Sequence, residues 1–179
     1  MFKELLGRRR AYRALEPVQI SSENLAALAE AASLAPSCFN NQPWRYVFVT
    51  DRKVMEALHE ALTEGNYWAR KASLIIAAYT FKELDCVIRD RTYAAFDTGM
   101  ATFSLIMAAT EMGLVAHPIA GFSPSKVAGI LKIEPRPDFM ALIIVGRHST
   151  DESLLEERHR SEEKHRPPRK NKNEFVRYI

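Results

Sequence analysis

The sequence predicts an α+β domain, a sheet packed between helices, on three observations. Helical and strand-like periods alternate along the first 150 residues. Two nearly continuous apolar runs, "ASLIIAAYT" at 72–80 and "DFMALIIVGR" at 138–147, read as strands covered on both faces. Between them, "DRTYAAFDTGMATFSLIMAATEMG" at 90–113 reads as one long helix, apolar almost all round and closed by a C-cap glycine. With 179 residues and 47% hydrophobic content, the chain can bury one core and suits one domain better than two.

The remaining elements follow in order. Ser22 can cap a helix whose Leu25, Leu28, Ala29 and Ala32 fall at helical spacing before Pro36 forbids continuation. "RYVFVT" at 45–50 reads as a strand, and Asp51 can cap a helix with Val54, Met55, Leu58 and Leu62 inward. After the long helix comes "LVAHPIAGF", and then Ser123 and Pro124 give a clear helix start before "VAGILKI". Residues 1–150 therefore form the domain. Residues 151–179, about half of them charged and ending in "FVRYI", form an arm that cannot make its own core; its apolar end favours docking on another surface.

Composition excludes several classes. The apolar runs are too short to span a bilayer, and residues 1–20 carry arginines where a signal peptide needs an apolar stretch, so a soluble, cytoplasmic protein is expected. Cys38 and Cys86 supply neither a disulfide framework nor a metal cluster, and the five scattered histidines offer no ligand spacing. "HEALT" at 59–63 begins like a zinc-protease helix, but Thr63 stands where the second histidine belongs. No metal is implied.

Two segments carry chemistry. Lys3, Arg8, Arg9, Arg10 and Arg13 face only Glu4 within the first 13 residues, although the whole chain is only +3, which points to one anionic target. In "APSCFNNQPWRYVFVT", residues 35–50, Ser37, Asn40, Asn41 and Gln42 crowd hydrogen-bonding groups between the stiff corners of Pro36 and Pro43. Such a loop is a rigid turn or one wall of a small-molecule site.

Taken in order, these segments resemble the FMN-dependent nitroreductase family. "RRRAYR" at 8–13 resembles its R-R-S-x-R motif, and "APSCFNNQPWRYVFV" its A-P-S-x-x-N-x-Q-P-W strand lead-in. "DTGMATFSLIMAATEMGL" resembles its D-x-G-x-A dimer helix; "IAGF", "SPSKVAGILKI" and "ALIIVGR" resemble its later segments. The resemblance covers nearly the whole chain. It implies a three-layer α-β-α sandwich with a mostly antiparallel central sheet, an intertwined homodimer, and FMN at each of two interfaces. NAD(P)H would be the electron donor, and a small molecule such as a nitroaromatic or quinone the acceptor.

Residue by residue, the resemblance implies FMN phosphate contacts from Arg9, Arg10 and Arg13 and the backbone near Ala11, where the family's serine is replaced and one hydroxyl lost. Pro36, Ser37, Cys38 and Asn40 resemble the loop that reaches the flavin from the other subunit, and Asn66 is placed to meet its pyrimidine edge. Ile119, Ala120 and Gly121 resemble the segment under the ring, and Arg147, or Arg169 in the arm, adds a second phosphate partner. No catalytic side chain is assigned, because a flavin carries the chemistry itself.

Each feature has a plainer reading. An arginine run is often a solvated face, or marks an RNA-binding patch, but stacking aromatics beyond Tyr12 are lacking. Cys38 and His117 read as packing residues, and Asp97 as a cap or a pair across the dimer interface. The rival function is a flavin-binding or nucleic-acid-binding protein without redox turnover.

Overall fold

The computed structural model describes residues 2–179. In chain order the regular elements are α1 (Phe2–Arg8), β1 (Leu15–Glu16), α2 (Ser22–Ser33), β2 (Arg45–Val49), α3 (Arg52–His59) and β3 (Leu74–Thr80). A two-stranded hairpin, β4 (Val87–Ile88) and β5 (Arg91–Thr92), precedes α4 (Ala94–Glu111); β6 (Val115–Ile119), α5 (Pro124–Leu131), β7 (Asp138–His148) and α6 (Glu157–Lys164) follow.

The two apolar runs form the middle of a five-stranded sheet. β3 and β7 pair from Leu74 opposite Val145 to Thr80 opposite Asp138. β2 pairs with the free side of β3, while β6 and β1 both pair with β7. Every pairing is antiparallel.

Period-two alternation divides the side chains of these strands between two cores. Ile75, Ala77, Leu142 and Ile144 join Met55 and Leu58 of α3 and Val127 of α5. Leu74, Ile76, Ala78, Ile143 and Val145 join Leu28 and Ala32 of α2 and Ala101, Leu105, Ile106 and Ala109 of α4. Since both faces are buried, each Leu or Ile contributes roughly 1.5–3 kcal/mol, which is why the runs are apolar at consecutive positions.

Several local expectations need correction. The cap of α2 is Ser21, whose hydroxyl accepts from the Asn24 N–H while the Asn24 side chain accepts from the Ser21 N–H. α4 begins at Ala94, not near Asp90, because the β-branched pair Val87–Ile88 folds back on Arg91–Thr92 through a left-handed Arg89 (φ 58°). Its end is as expected: Gly113 takes φ 75°, the conformation a glycine adopts at least cost.

The two cysteines were expected to form no disulfide. Cys38 and Cys86 are in fact bonded to each other, their Cα atoms 6.1 Å apart. Their 48-residue separation hides a proximity that arises because the 35–42 loop and the segment after β3 leave the same end of the sheet.

The arm divides in two. Leu155, His159 and Glu163 are buried against their own chain, so α6 belongs to the body of this protein. Beyond it, Phe175, Tyr178 and Ile179 are exposed.

Candidate functional site

Residues 9–13 leave α1 as an extended hook, and the arm lies across it. Arg166 donates to the carbonyls of Gly7 and Arg9 at 2.7 and 2.6 Å. Arg10 donates to the carbonyls of Glu162 and Glu163 at 3.1 and 3.0 Å and stands 4.8 Å over the Tyr12 ring. Arg13 pairs with Glu162 at 2.6 Å, and its backbone N–H donates to Glu163 Oε1 at 2.7 Å. Ala11 is exposed between them.

Arg9 is placed differently. Burial, and then the guanidinium groups of Arg166, Arg169 and Arg10, push its pKa below the usual arginine value. Among the described residues no carboxylate pairs with it. Like charges partly withdrawn from water call for an anion, and a phosphate dianion with acceptors for several N–H groups fits that cradle.

From the hook the site continues along β6. His117 stacks on Trp68 with ring centroids 4.7 Å apart, and its Nδ1 lies 3.1 Å from the Tyr12 carbonyl, which assigns the proton of the neutral ring to Nδ1. Burial pushes the His117 pKa down to about 4, helped by Arg13 and Arg9 and opposed by the Tyr12 hydrogen bond. Ile119 ends the strand, buried, with Ala120 exposed beyond it.

The Gly121 carbonyl receives three donors: Thr63 N–H at 2.9 Å, Thr63 Oγ1 at 3.1 Å and Asn66 Nδ2 at 2.8 Å. A Cβ on Gly121 would overlap both Thr63 Oγ1 and Asn66 Nδ2, so the residue must be glycine for this approach. Asn66 therefore meets the 119–121 segment, and its amide N–H groups are engaged there and on Thr63. Its oxygen is the group left for a ligand.

The 36–42 loop is held on another side. Its Cys38 N–H donates to Asp97 Oδ2 at 2.7 Å, Asn41 Nδ2 to Asp85 Oδ1 at 3.1 Å, and Gln42 N–H to Ser37 Oγ at 3.0 Å. Phe39, Asn40 and Gln42 all take left-handed φ, 48°, 59° and 51°. Asp97 is thus an anchor within the chain, a role its sequence position did not reveal.

Burial raises the Asp97 pKa, against the lowering effect of the Cys38 hydrogen bond, and the neighbouring Asp85 raises it further. Asp85 Oδ2 is buried and makes no hydrogen bond among the described residues. Asp85, Cys38 and Cys86 place their ligand-type atoms within 4.8 Å of one another, but the two sulfurs are bonded and offer no thiolates.

The chain thus brings Arg9, Arg10, Arg13 and Arg169 together, and Asn66 with Ile119, Ala120 and Gly121. The loop of Pro36, Ser37, Cys38 and Asn40 makes its hydrogen bonds to neither group. Arg147 lies apart, 3.9 Å from Glu16 on the surface. Arg166 and Asp85 were not singled out in the sequence, and Cys86 only as one of two cysteines; the "HRPPR" run was the signal for Arg166, while nothing local distinguished Asp85.

The arginines gather at the hook, and Gly121 edges the end of β6 beside Asn66. A profile described as Nitroreductase family matches residues 6–147, and the chain belongs to that family. Spy0809 of Streptococcus pyogenes, whose name classes it with the NAD(P)H nitroreductases, is 27% identical over 183 residues, covering 81% of this chain and 88% of its own. A crystal structure of an oxidoreductase containing FMN is 29% identical with a TM-score of 0.78, over 88% of this chain and 81% of that one. An FMN complex from Exiguobacterium sibiricum shares the fold, with a TM-score of 0.83 at 19% identity over 100% of this chain and 97% of that one.

Proposed function

We propose that this protein is an FMN-dependent oxidoreductase that takes electrons from NAD(P)H and delivers them to a small acceptor such as a nitroaromatic or quinone. The observation that carries the reading is Arg9 among Arg166, Arg169 and Arg10, a cationic cluster shaped for a phosphate. Bound FMN would supply the chemistry, accepting a hydride from the nicotinamide and passing electrons on. The chain's part is to bind and orient. The hook holds the phosphate, Gly121 lets backbone approach the ring, and Asn66 Oδ1 accepts from its polar edge.

The proposal includes the assembly. Helices on both faces of the sheet form a three-layer sandwich, and α4 leaves Phe96 and Phe103 exposed, 64% and 43%, as an apolar stripe for a second copy. In a homodimer the 36–42 loop would reach the partner's hook, which accounts for its separation from the hook of its own chain. The exposed end of the arm, from about residue 165, would dock on the partner. No described helix is long and apolar enough to cross a membrane.

FMN and riboflavin binding to the purified protein test the reading. Arg9→Ala with Arg169→Ala removes charge-assisted bonds worth roughly 1.5–3 kcal/mol each, so FMN should wash out of a chain that keeps its circular dichroism. Arg13 is unsuitable for this test because it also anchors α6. Wild-type protein should bind riboflavin far more weakly than FMN, and its flavin bands should bleach with NADH or NADPH. Equal affinity for the two flavins would defeat the phosphate assignment; unbleached bands would leave a binder without turnover.

A further inference from the structure

We propose that Cys38–Cys86 is a reversible redox site, reduced by dithiols, that sets the order of the 36–42 loop. Both cysteines are only partly buried, unlike the fully buried cysteines of inert cores. The bond ties the loop to the segment after β3 at the point where Cys86 N–H also donates to Asp85 Oδ1 at 2.8 Å. Asn41 Nδ2 lies 3.4 Å from Cys86 Sγ, so the sulfur leaving as a thiolate has a donor waiting.

The exchange is therefore directional. A thiolate of the dithiol attacks Cys38 Sγ, the S–S bond breaks, and its electron pair leaves on Cys86 Sγ beside Asn41. The reductant's second sulfur then displaces Cys38 from the mixed disulfide. The dithiol ends as its own disulfide, and its two protons, relayed by water, end on Cys38 and Cys86.

The consequence lies in the backbone next to Cys38. Phe39, Asn40 and Gln42 occupy left-handed conformations that non-glycine residues hold only when their surroundings insist. The clamps are the disulfide, Asp97 on the Cys38 N–H, Asp85 on Asn41 and Ser37 on the Gln42 N–H. Reduction removes the covalent one and leaves the hydrogen bonds, so the loop loosens without dissolving. An effect on FMN rests on the function proposed above, in which this loop forms one wall of the flavin site.

Three measurements on the full-length protein test this. Alkylation of unfolded chains after native treatment with dithiothreitol, read by intact mass, should add two alkyl groups, against none without the reductant. Hydrogen exchange at the amides of 38–42 should quicken on reduction while β3 stays protected. FMN should bind about tenfold more weakly to reduced protein, because the loop must then be ordered on binding, and Cys86→Ser should match the reduced form without added dithiol.

Two free thiols before treatment, or a bond that resists dithiothreitol in the folded protein, would overturn the redox site. Exchange and affinity unaltered by reduction would overturn the control of the loop while the flavin reading stands. Exchange that responds in a protein that binds no FMN in any form would uphold the redox site and sink the proposed function instead.

Discussion

His117 shows how one side chain ties the core to pH. Its ring is stacked on Trp68 and hydrogen-bonded to the Tyr12 carbonyl, with its pKa pushed from 6.5 to about 4. Between those values the unfolded chain binds a proton that the folded chain refuses. Stability present above pH 6.5 is therefore lost as pH falls toward about 4, by about 3 kcal/mol for a shift of this size. Burial lowers the His59 and His159 pKa values as well, adding to the same trend. His117→Gln should retain its cap on Tyr12 yet show a clearly shallower fall in Tm between pH 6.5 and 4. An unchanged slope would place the acid sensitivity elsewhere. In the sequence this residue read as a packing histidine, which the structure supports; Cys38 read as packing too, and is a disulfide partner instead.

At the scale of elements, α6 explains why the arm could not be read from its composition. Its eight residues, "ERHRSEEK", are almost wholly polar, yet His159 and Glu163 are buried. Glu163 Oε1 accepts the Arg13 N–H, and Oε2 lies 3.4 Å from His148 Nε2, while His148 stacks on Tyr12 at 3.7 Å. Glu163→Ala leaves the Arg13 N–H without its partner at a cost of about 1–3 kcal/mol, measurable by urea unfolding. It should also weaken FMN binding by loosening the hook. A variant as stable as the wild type would mean that α6 is held by its other contacts, Arg13 on Glu162, Arg10 on the Glu162 and Glu163 carbonyls and Tyr67 on His159. α4 teaches a related lesson. Phe96, Met100, Phe103, Ile106 and Met107 make it apolar on every side, yet Ile106 and Met107 are buried within the chain while Phe96 and Phe103 stay exposed. A helix that reads apolar all round does not say which face meets the sheet.

For the whole molecule, that open side carries the assembly prediction. Phe96→Glu with Phe103→Glu should give folded monomers in sedimentation, whereas a charge at Ile106 would disrupt the core and tell nothing about partners. If the flavin site spans two chains, FMN binds the dimer alone and stabilises it by mass action. The same double variant should therefore be colourless. A monomer that keeps FMN would show that the site lies within one chain.

The sequence by itself determined the α+β class, the two central strands, the helix starts at Asp51 and Ser123, and the N-terminal arginine cluster. Each of these depends on local pattern: alternation, capping chemistry or charge within a few residues. Motif order also pointed to the family, since five weak signals in sequence are strong together. Only the tertiary structure decided that Arg13 is the hook arginine paired with a carboxylate among the described residues, because Glu162, Glu163 and Arg166 reach the hook from about 150 residues away. It alone joined Cys38 to Cys86 and set Asp97 beneath the loop. Pairings across such separations are settled by how strands stack and which ends they share, and spacing along the chain carries no record of that.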